Sequence, residues 1–526
     1  MKLLKNKYFL TFSLLVFFLL LLKIDYRFVE EIKCCQDDHD YYMHAETIAV
    51  DFDFNYDNQL EGFENKRFND NGKIAPKGFL GTGLFSSPFL FLGDLLNNFQ
   101  NSEVFNFKIL FYSLSSIFYF FLSIFLMYKL LNSLNINANI FFLGLLFFGS
   151  GLPYFAFERY SMSHVYEVFS IVLVLYLSNK YYISTSNKGL FAFLIPIAIG
   201  FSLLVRWVNY YVIFLPLILK LMFYQNEKLT EEKKYSKHII TSSIFSVIIF
   251  SFFSNAIYGR ITFNPQYVYG ASGMMKGFLM PEVSMVDYFL LNLKNFFLII
   301  YTKEFGILWF SSIIFVGLLL TIRLFFVNRS NYLLNTLLLF SFLQNFAIVL
   351  MWKSTASSYG FRYLFNLIPL SILVYFYFKS IKNTKLIYYY LITFSFIGIL
   401  SLFFFETTEM TQLSLVDEMN SFGRYLRFTE PNYLIGFFFS FFEINSYLKI
   451  FTTSLFGSII FKLIFLIYDK NQFISILSNL GLPVNNEDFV VYLDKINEIE
   501  VYKFVLIIVI FYFISKKIVD THSAHD

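Results

Sequence analysis

Asp37, Asp38, His39 and Asp40 stand side by side in the stretch CCQDDHDYYMHAETIAVDFDFNYDN, residues 34–58. Carboxylates grouped in this way have three chemical uses. One can take a proton from an attacking hydroxyl or amine as a general base. Several can share a divalent cation such as Mg or Mn through hard oxygen ligands. The third use is structural: an aspartate caps a helix and the other acids are solvated. Asp40 and His44 are one helical turn apart and share a face, but such pairs recur by chance, so no metal ligands are assigned. The acidity is local. Residues 25–70 hold thirteen Asp or Glu against four Lys or Arg, which leaves a divalent cation open.

The rest of the chain must hold this loop in place, and its composition says how. The 526 residues are 57% hydrophobic and 15% charged, with a mean hydropathy of +0.58. Many apolar runs are long enough to cross a bilayer core, so the expected fold is an all-α polytopic membrane protein. The 75 Phe and 38 Tyr read as the bias of lipid-facing helices. The net charge of +4 is spread over short loops and gives no sign of a nucleic-acid partner. Cys34 and Cys35 are adjacent and form neither a disulfide framework nor a redox centre.

The start, MKLLKNKYFLTFSLLVFFLLLLKID, has a basic n-region but no small-residue cleavage site, and reads as an uncleaved first helix. Four regions are expected. They are a first transmembrane helix (1–24), an outside loop carrying membrane-lying helices (25–105), a helical core (106–405) and C-terminal helices with a small outside segment (406–526). After a helix near 8–24, apolar helices are expected near 106–130, 138–152, 164–180, 189–206, 208–224, 239–257, 305–326, 333–352, 363–379 and 385–405. Further apolar segments lie near 433–449, 450–468 and 502–515, giving eleven to fourteen helices.

Lys and Arg set the topology. If eleven helices alternate, the short basic connections SNKYYISTSNKG, YQNEKLTEEKKYSKH, RLFFVNRSN and KSIKNTK fall on the side of Lys2, Lys5 and Lys7. The acidic loop, PYFAFERYSMSH and WKSTASSYGFR fall on the other, the outside.

The order of these motifs resembles the glycosyltransferase C superfamily, which includes protein O-mannosyltransferases and the lipid A aminoarabinose transferase. DDHDYYMHA fits Asp-[Asp/Glu]-x-x-Tyr-x-x-x-Ala just after helix 1. GKIAPKGFLGTGLFSSPFLFLG is similar to the rest of that family's first loop, a Pro-Gly turn leading to a membrane-lying helix. Here Lys77 stands between Pro76 and Gly78, where similar bacterial proteins tend to have isoleucine. ERYSMSHVYEVF, with His164, is similar to the family's Ser-His segment. GFSLLVRWVN, with Arg206, and SYGFRYLFNLIPLSIL, with Arg362, resemble its arginine segments. The likeness covers about residues 8–380.

The resemblance implies a transferase that moves a monosaccharide from a polyprenyl-phosphate carrier to a glycolipid, polysaccharide or protein. It would work at the outer face of a bacterial plasma membrane. Asp37 would be the catalytic carboxylate, or Asp38 in the tighter Asp-x-x-Tyr register. Arg206, Arg362 and Lys77 would bind the donor phosphate, because a guanidinium grips phosphate bidentately. Asp40, Tyr41 and His164 would contact substrate. Arg159 and Lys353 are read as snorkelling cations, and Glu304 as a helix cap. Two other readings compete. A lipid or solute transporter would place charges within helices and break them, as Pro196 and Pro216 could. A polysaccharide polymerase or ligase would carry its main outside loop late in the chain.

The topology is open to test. A membrane-impermeant reagent applied to intact cells is expected to reach single cysteines placed within 25–105. Reaction only after permeabilisation would reverse the assignment.

Overall fold

The computed structural model describes residues 36–60, 75–76, 78–100, 107–184, 186–206, 209–224, 229–259, 261, 284–301, 306–327, 331–352, 361–382, 384–404, 455–479, 509, 512–513 and 515–517. Helix 1, Lys77, Lys353, Glu304, Cys34, Cys35 and the segment near 433–449 lie outside them. Among the described residues every regular element is a helix. The chain is an all-α membrane protein. Five described stretches are long and apolar enough to cross a bilayer: Phe107–Ser133, Lys188–Val205, Thr241–Tyr258, Tyr332–Leu350 and Arg362–Ile381. Three apolar helices are shorter: Asn209–Phe223, Ser312–Phe326 and Lys385–Ile399.

The chain divides into two compact units. One holds residues 34–399, so the acidic loop and the helical core belong together, and the other gathers residues 1–33, 400–406 and 433–526. In the first unit, α1 (Gln36–Glu46) runs into a wide turn at Thr47–Asp51, and α2 (Gly81–Gln100) follows. These are the helices expected within the outside loop, and α2 continues past Gly93 to Gln100. Next come α3 (Phe107–Ser133), α4 (Ile140–Phe148), a wide turn at Tyr154–Glu158, α5 (His164–Ile183) and α6 (Lys188–Val205). A 3-10 turn at Asn209–Phe214 leads into α7 (Leu215–Phe223), followed by α8 (Leu229–Tyr258) and α9 (Met285–Tyr301). The short α10 (Ile307–Phe310) precedes α11 (Ser312–Val327) and α12 (Tyr332–Trp352). A second 3-10 turn, Arg362–Leu367, opens α13 (Ile368–Ile381), and α14 (Lys385–Phe404) follows. In the second unit α15 (Leu455–Phe465) and α16 (Lys470–Asn479) pack through Phe461, Phe465 and Phe473.

In lipid, apolar surface gives helices no reason to associate, so small and polar side chains hold them together. α3 follows this rule. Ser116 Oγ donates to the Ala156 carbonyl at 2.6 Å, and Tyr112 and Ser161 hydroxyls meet at 2.7 Å. Ser115 meets the Tyr166 hydroxyl at 2.6 Å. Deeper in the unit Asn366 is a hub. Its Nδ2 donates to Asn209 Oδ1 at 3.2 Å and to Asn345 Oδ1 at 2.6 Å, and its carbonyl accepts from the Tyr211 hydroxyl at 2.7 Å. Three segments far apart in sequence are joined at this one side chain.

Three expectations need correction. The run expected as one helix over 208–224 is a 3-10 turn followed by α7, and that over 363–379 opens in the same way. Both segments carry Tyr-x5-Pro-Leu, as Tyr210 to Leu217 and Tyr363 to Leu370. Each proline lands in the first turn of its helix, where its missing N–H costs nothing. Pro216 therefore starts a helix instead of interrupting one. Pro196 does lie inside α6, and Ser246 Oγ donates to its carbonyl at 3.0 Å.

The second correction is α9, which the apolar pattern missed because Asp287, Asn292, Lys294 and Asn295 break its run. A start signal was present: Ser284 Oγ accepts from the Asp287 N–H at 3.1 Å and donates to its carboxylate at 2.6 Å, a capping pair. Third, the helix expected over 305–326 is divided at Ser311.

Asn366→Leu should lower the thermal stability of the detergent-solubilised protein by roughly 2 kcal/mol, since it strands the oxygens of Asn209 and Asn345. An unchanged unfolding midpoint would show that this hub does not couple the three segments.

Candidate active site

The site is built from connections that the chain separates widely. Asp38 lies in the first turn of α1, is 3% exposed, and takes Arg159 Nη2 at 2.7 Å and Nε at 3.3 Å on the same oxygen. The Asp38 carbonyl accepts from Ser161 Oγ. Asp38 is thus neither solvated nor a simple cap, because a cation 121 residues away holds it. Arg159 was expected to snorkel, yet its side chain is 9% exposed and paired. Asp37 belongs to the same turn of α1.

A second cluster begins at the first residue of α5. His164 and Glu167 stand one turn apart on that helix, so both side chains leave one face. Arg206, just past the end of α6, sends Nη1 to Glu167 Oε2 at 3.0 Å and to His164 Nδ1 at 3.1 Å. Its guanidinium lies over the ring of Tyr363, with Cζ 4.3 Å from the centroid. Arg362, which opens the second 3-10 turn, places its own Cζ 5.2 Å from the same ring. The Tyr363 ring centroid lies 6.4 Å from that of His164. The fields of Arg206, Arg362 and Arg159 all act on His164. Residues 38, 159, 164, 206 and 362 were assigned to one side of the membrane by charge alone, and the fold brings them together.

The arginine contact fixes the state of His164. A guanidinium only donates hydrogen bonds, so Nδ1 accepts and the ring proton sits on Nε2. The 3.7 Å separation between Nδ1 and Glu167 Oε2 is therefore not an ion pair. Glu167 escaped the sequence reading, although one signal was available. A carboxylate inside an apolar helix is costly and needs a partner. Tyr363, the shared ring, carried no signal of its own beyond its place after Arg362.

The acidic loop is fastened beside these groups. His44 is fully buried and bonds through Nε2 to the Gly78 carbonyl at 2.6 Å and through Nδ1 to the Tyr56 hydroxyl at 2.7 Å. A carbonyl only accepts, so Nε2–H donates to it and Nδ1 accepts from Tyr56. Both ring nitrogens are used, which excludes His44 as a metal ligand with Asp40. The Tyr258 hydroxyl also donates to the Gly78 carbonyl at 2.8 Å. Gly78 itself lies flat against the Tyr41 ring, where a Cβ would clash at 2.6 Å. Asp40 is fully buried, and its charge acts on Tyr258. Lys108 of α3 pairs with Glu46 at 2.7 Å.

The acids further along the loop serve a turn. Asp53 Oδ1 accepts from Thr47 Oγ1 at 2.9 Å and from the Asn55 N–H at 3.1 Å. Asp51 accepts from Asn58 and Gln59. Among the described residues no group of three or more His, Cys, Asp or Glu is placed to hold a metal ion. The described acids do not fit a resident divalent cation, and no step is derived through one.

No protein-family model, no curated protein and no solved structure matches this chain.

Burial pushes the His44 imidazole down to about 4, partly opposed by its bond to the Gly78 carbonyl. The unfolded chain holds a proton on this ring below about 6.5 while the folded chain refuses it. Stability should therefore fall progressively between pH 6.5 and pH 4, by roughly 3 kcal/mol in all. Thermal unfolding across that range should show the slope, and His44→Asn should flatten it. An equal slope in the variant would place the acid sensitivity elsewhere.

Proposed function

We propose that this chain is a membrane glycosyltransferase of the glycosyltransferase C type. It moves a monosaccharide from a polyprenyl-phosphate carrier to an acceptor hydroxyl or amine at the outer face of the membrane. The observation that carries the reading is the convergence of Asp38, Arg159, His164, Arg206 and Arg362, from four separate connections, on one end of an apolar bundle. A carboxylate paired with Arg159, in a cluster that also holds Arg206 and Arg362 around His164, is the equipment needed to deprotonate an acceptor next to an anionic leaving group.

Two facts support the orientation. His164 and Glu167 occupy the first turn of α5, whereas Asn179 near its other end bonds to Ser133 and Tyr224. The two polar ends are roughly 22 Å apart along the helix, a spacing that suits opposite margins of a hydrocarbon core. The connections bearing Lys180, Lys188, Lys220 and Lys379 lie toward the second end, in keeping with a cytoplasmic location.

The chemistry follows from the charges. The acceptor oxygen or nitrogen attacks the anomeric carbon from the face opposite the phosphate. The bond from that carbon to the phosphate oxygen breaks, and the lipid phosphate leaves with the electron pair. An aspartate of α1 takes the acceptor proton, and the side chain of Asp38 is held by Arg159. The arginines stabilise charge that grows on the leaving phosphate, where a buried guanidinium acts more strongly than in water. One displacement inverts the sugar's configuration. The proline pattern removes part of the case for a transporter, since Pro216 begins a helix.

Membranes holding wild type, Asp37→Asn or Asp38→Asn, at equal protein level, should be offered labelled polyprenyl-phosphate sugars. Wild type should release lipid phosphate and label an acceptor fraction, and Asp38→Asn should lose at least about 100-fold of that rate. Full turnover in both variants would remove α1 from the chemistry. Flux of intact donor across proteoliposomes without sugar transfer would establish transport instead.

A further inference from the structure

Two buried donors at the centre of the cluster face no acceptor among the described residues. One is Nε2 of His164, which carries the ring proton because Nδ1 accepts from Arg206. The other is Nε of Arg362. Their side chains belong to residues 1% and 7% exposed, so water does not readily satisfy them, and a buried donor without a partner is uncommon. Both residues border the ring of Tyr363.

The charges around them cancel in pairs, with one left over. Asp38 compensates Arg159, and Glu167 compensates Arg206. Arg362 has no carboxylate partner among the described residues. Asp40, also buried in α1, acts on Tyr258. Among the described residues the cluster thus offers two N–H donors and one uncompensated positive charge.

We propose that Glu167 sets the charge of this site, so that it accepts a singly charged phosphodiester and discriminates against a diphosphate. Arg362 Nε–H and His164 Nε2–H donate to the two non-bridging oxygens of one phosphoryl group. A sugar joined to a lipid through one phosphate carries one negative charge and two such oxygens. A diphosphate brings a second charge, for which the described residues of the cluster hold no further cation, because Glu167 already occupies Arg206. Glu167 is therefore a specificity-determining residue that need not touch the ligand. The proposal rests on the transferase reading for the identity of the ligand as a lipid-linked sugar phosphate. The charge argument is independent of it.

The test uses the full chain in dodecyl maltoside, which carries no phosphate, at pH 7.5 and fixed ionic strength. Affinities are measured calorimetrically for farnesyl methyl phosphate, farnesyl diphosphate and dimethyl phosphate. Wild type should bind farnesyl methyl phosphate at least about 10-fold more tightly than farnesyl diphosphate. Arg362→Gln should weaken the diester at least about 10-fold. Glu167→Gln frees Arg206 and should raise the affinity for the diphosphate by a similar factor, narrowing or reversing the preference. If Glu167→Gln fails gel filtration as a folded protein, the wild-type preference and Arg362→Gln decide the matter.

A diphosphate bound as tightly as the diester, an unchanged affinity in Arg362→Gln, or an unchanged preference in a folded Glu167→Gln would each overturn the proposal. Dimethyl phosphate binding as tightly as the farnesyl ester would overturn the lipid as its source. Failure of the two readings is distinguishable. Diester binding without sugar transfer would remove the transferase and leave this site, whereas transfer from a diphosphate donor would do the reverse.

Discussion

Arg206 lies at the end of an apolar helix and is 8% exposed. A guanidinium cannot shed its proton in such a setting, and an uncompensated charge enclosed in a low-dielectric interior costs several kcal/mol. Glu167 at 3.0 Å, His164 at 3.1 Å and the face of Tyr363 at 4.3 Å together meet that cost. Much of the local architecture follows from supplying these three partners. Glu167 and His164 leave one face because α5 begins at residue 164 and they are three positions apart. Tyr363 arrives because the chain enters α13 through a 3-10 turn. Arg206 leaves α6 in an extended conformation, which frees the side chain to turn inward.

At three described turns the irregular backbone finds partners for its polar groups. At membrane depth every N–H and C=O must be satisfied within the protein. The 3-10 turn before α7 is held by Asn209, which donates to the Ser202 carbonyl at 3.0 Å and accepts from Asn366. The turn before α13 is held by Tyr211 through the Asn366 carbonyl. The hub that joins the segments thus also supports the floor beneath the arginine cluster. The wide turn at Tyr154–Glu158 has a comparable role, because its Ala156 carbonyl accepts from Ser116 while Arg159 projects to Asp38.

The acidic loop reaches the same place by close approach of backbone. Gly81 sits against the backbone of Leu204 and Val205, and Gly83 against His44 and Ala45. A Cβ at either position would push α2 off the end of α6 or off α1. His44 draws Gly78 and Tyr56 into one buried network, so α1 is anchored on both of its faces. The acid of this loop has two fates. Asp38 and Asp40 turn into the protein, whereas Asp51 and Asp53 spend their oxygens on the turn that closes the loop. The density of charge that first drew attention to residues 34–58 is therefore a mixture of site and scaffold.

The class of the fold and the helices at 107–133, 188–205, 332–352 and 385–404 were legible in the sequence. They follow from local quantities, namely the length of an apolar run and the position of Lys and Arg beside it. Asp38, His164, Arg206 and Arg362 could also be singled out, because each stood in a polar motif beside an apolar run. The fates of Arg159 and Glu167 were not legible. An arginine near a helix end reads as a snorkelling cation until a carboxylate 121 residues away is seen to take it. A glutamate in an apolar helix has no visible partner until Arg206 folds back upon it. The sequence by itself determined that this is a helical membrane protein. Only the tertiary structure decided which charges cancel and which one is left over, because pairing depends on distances of a few ångströms between segments that the chain keeps far apart.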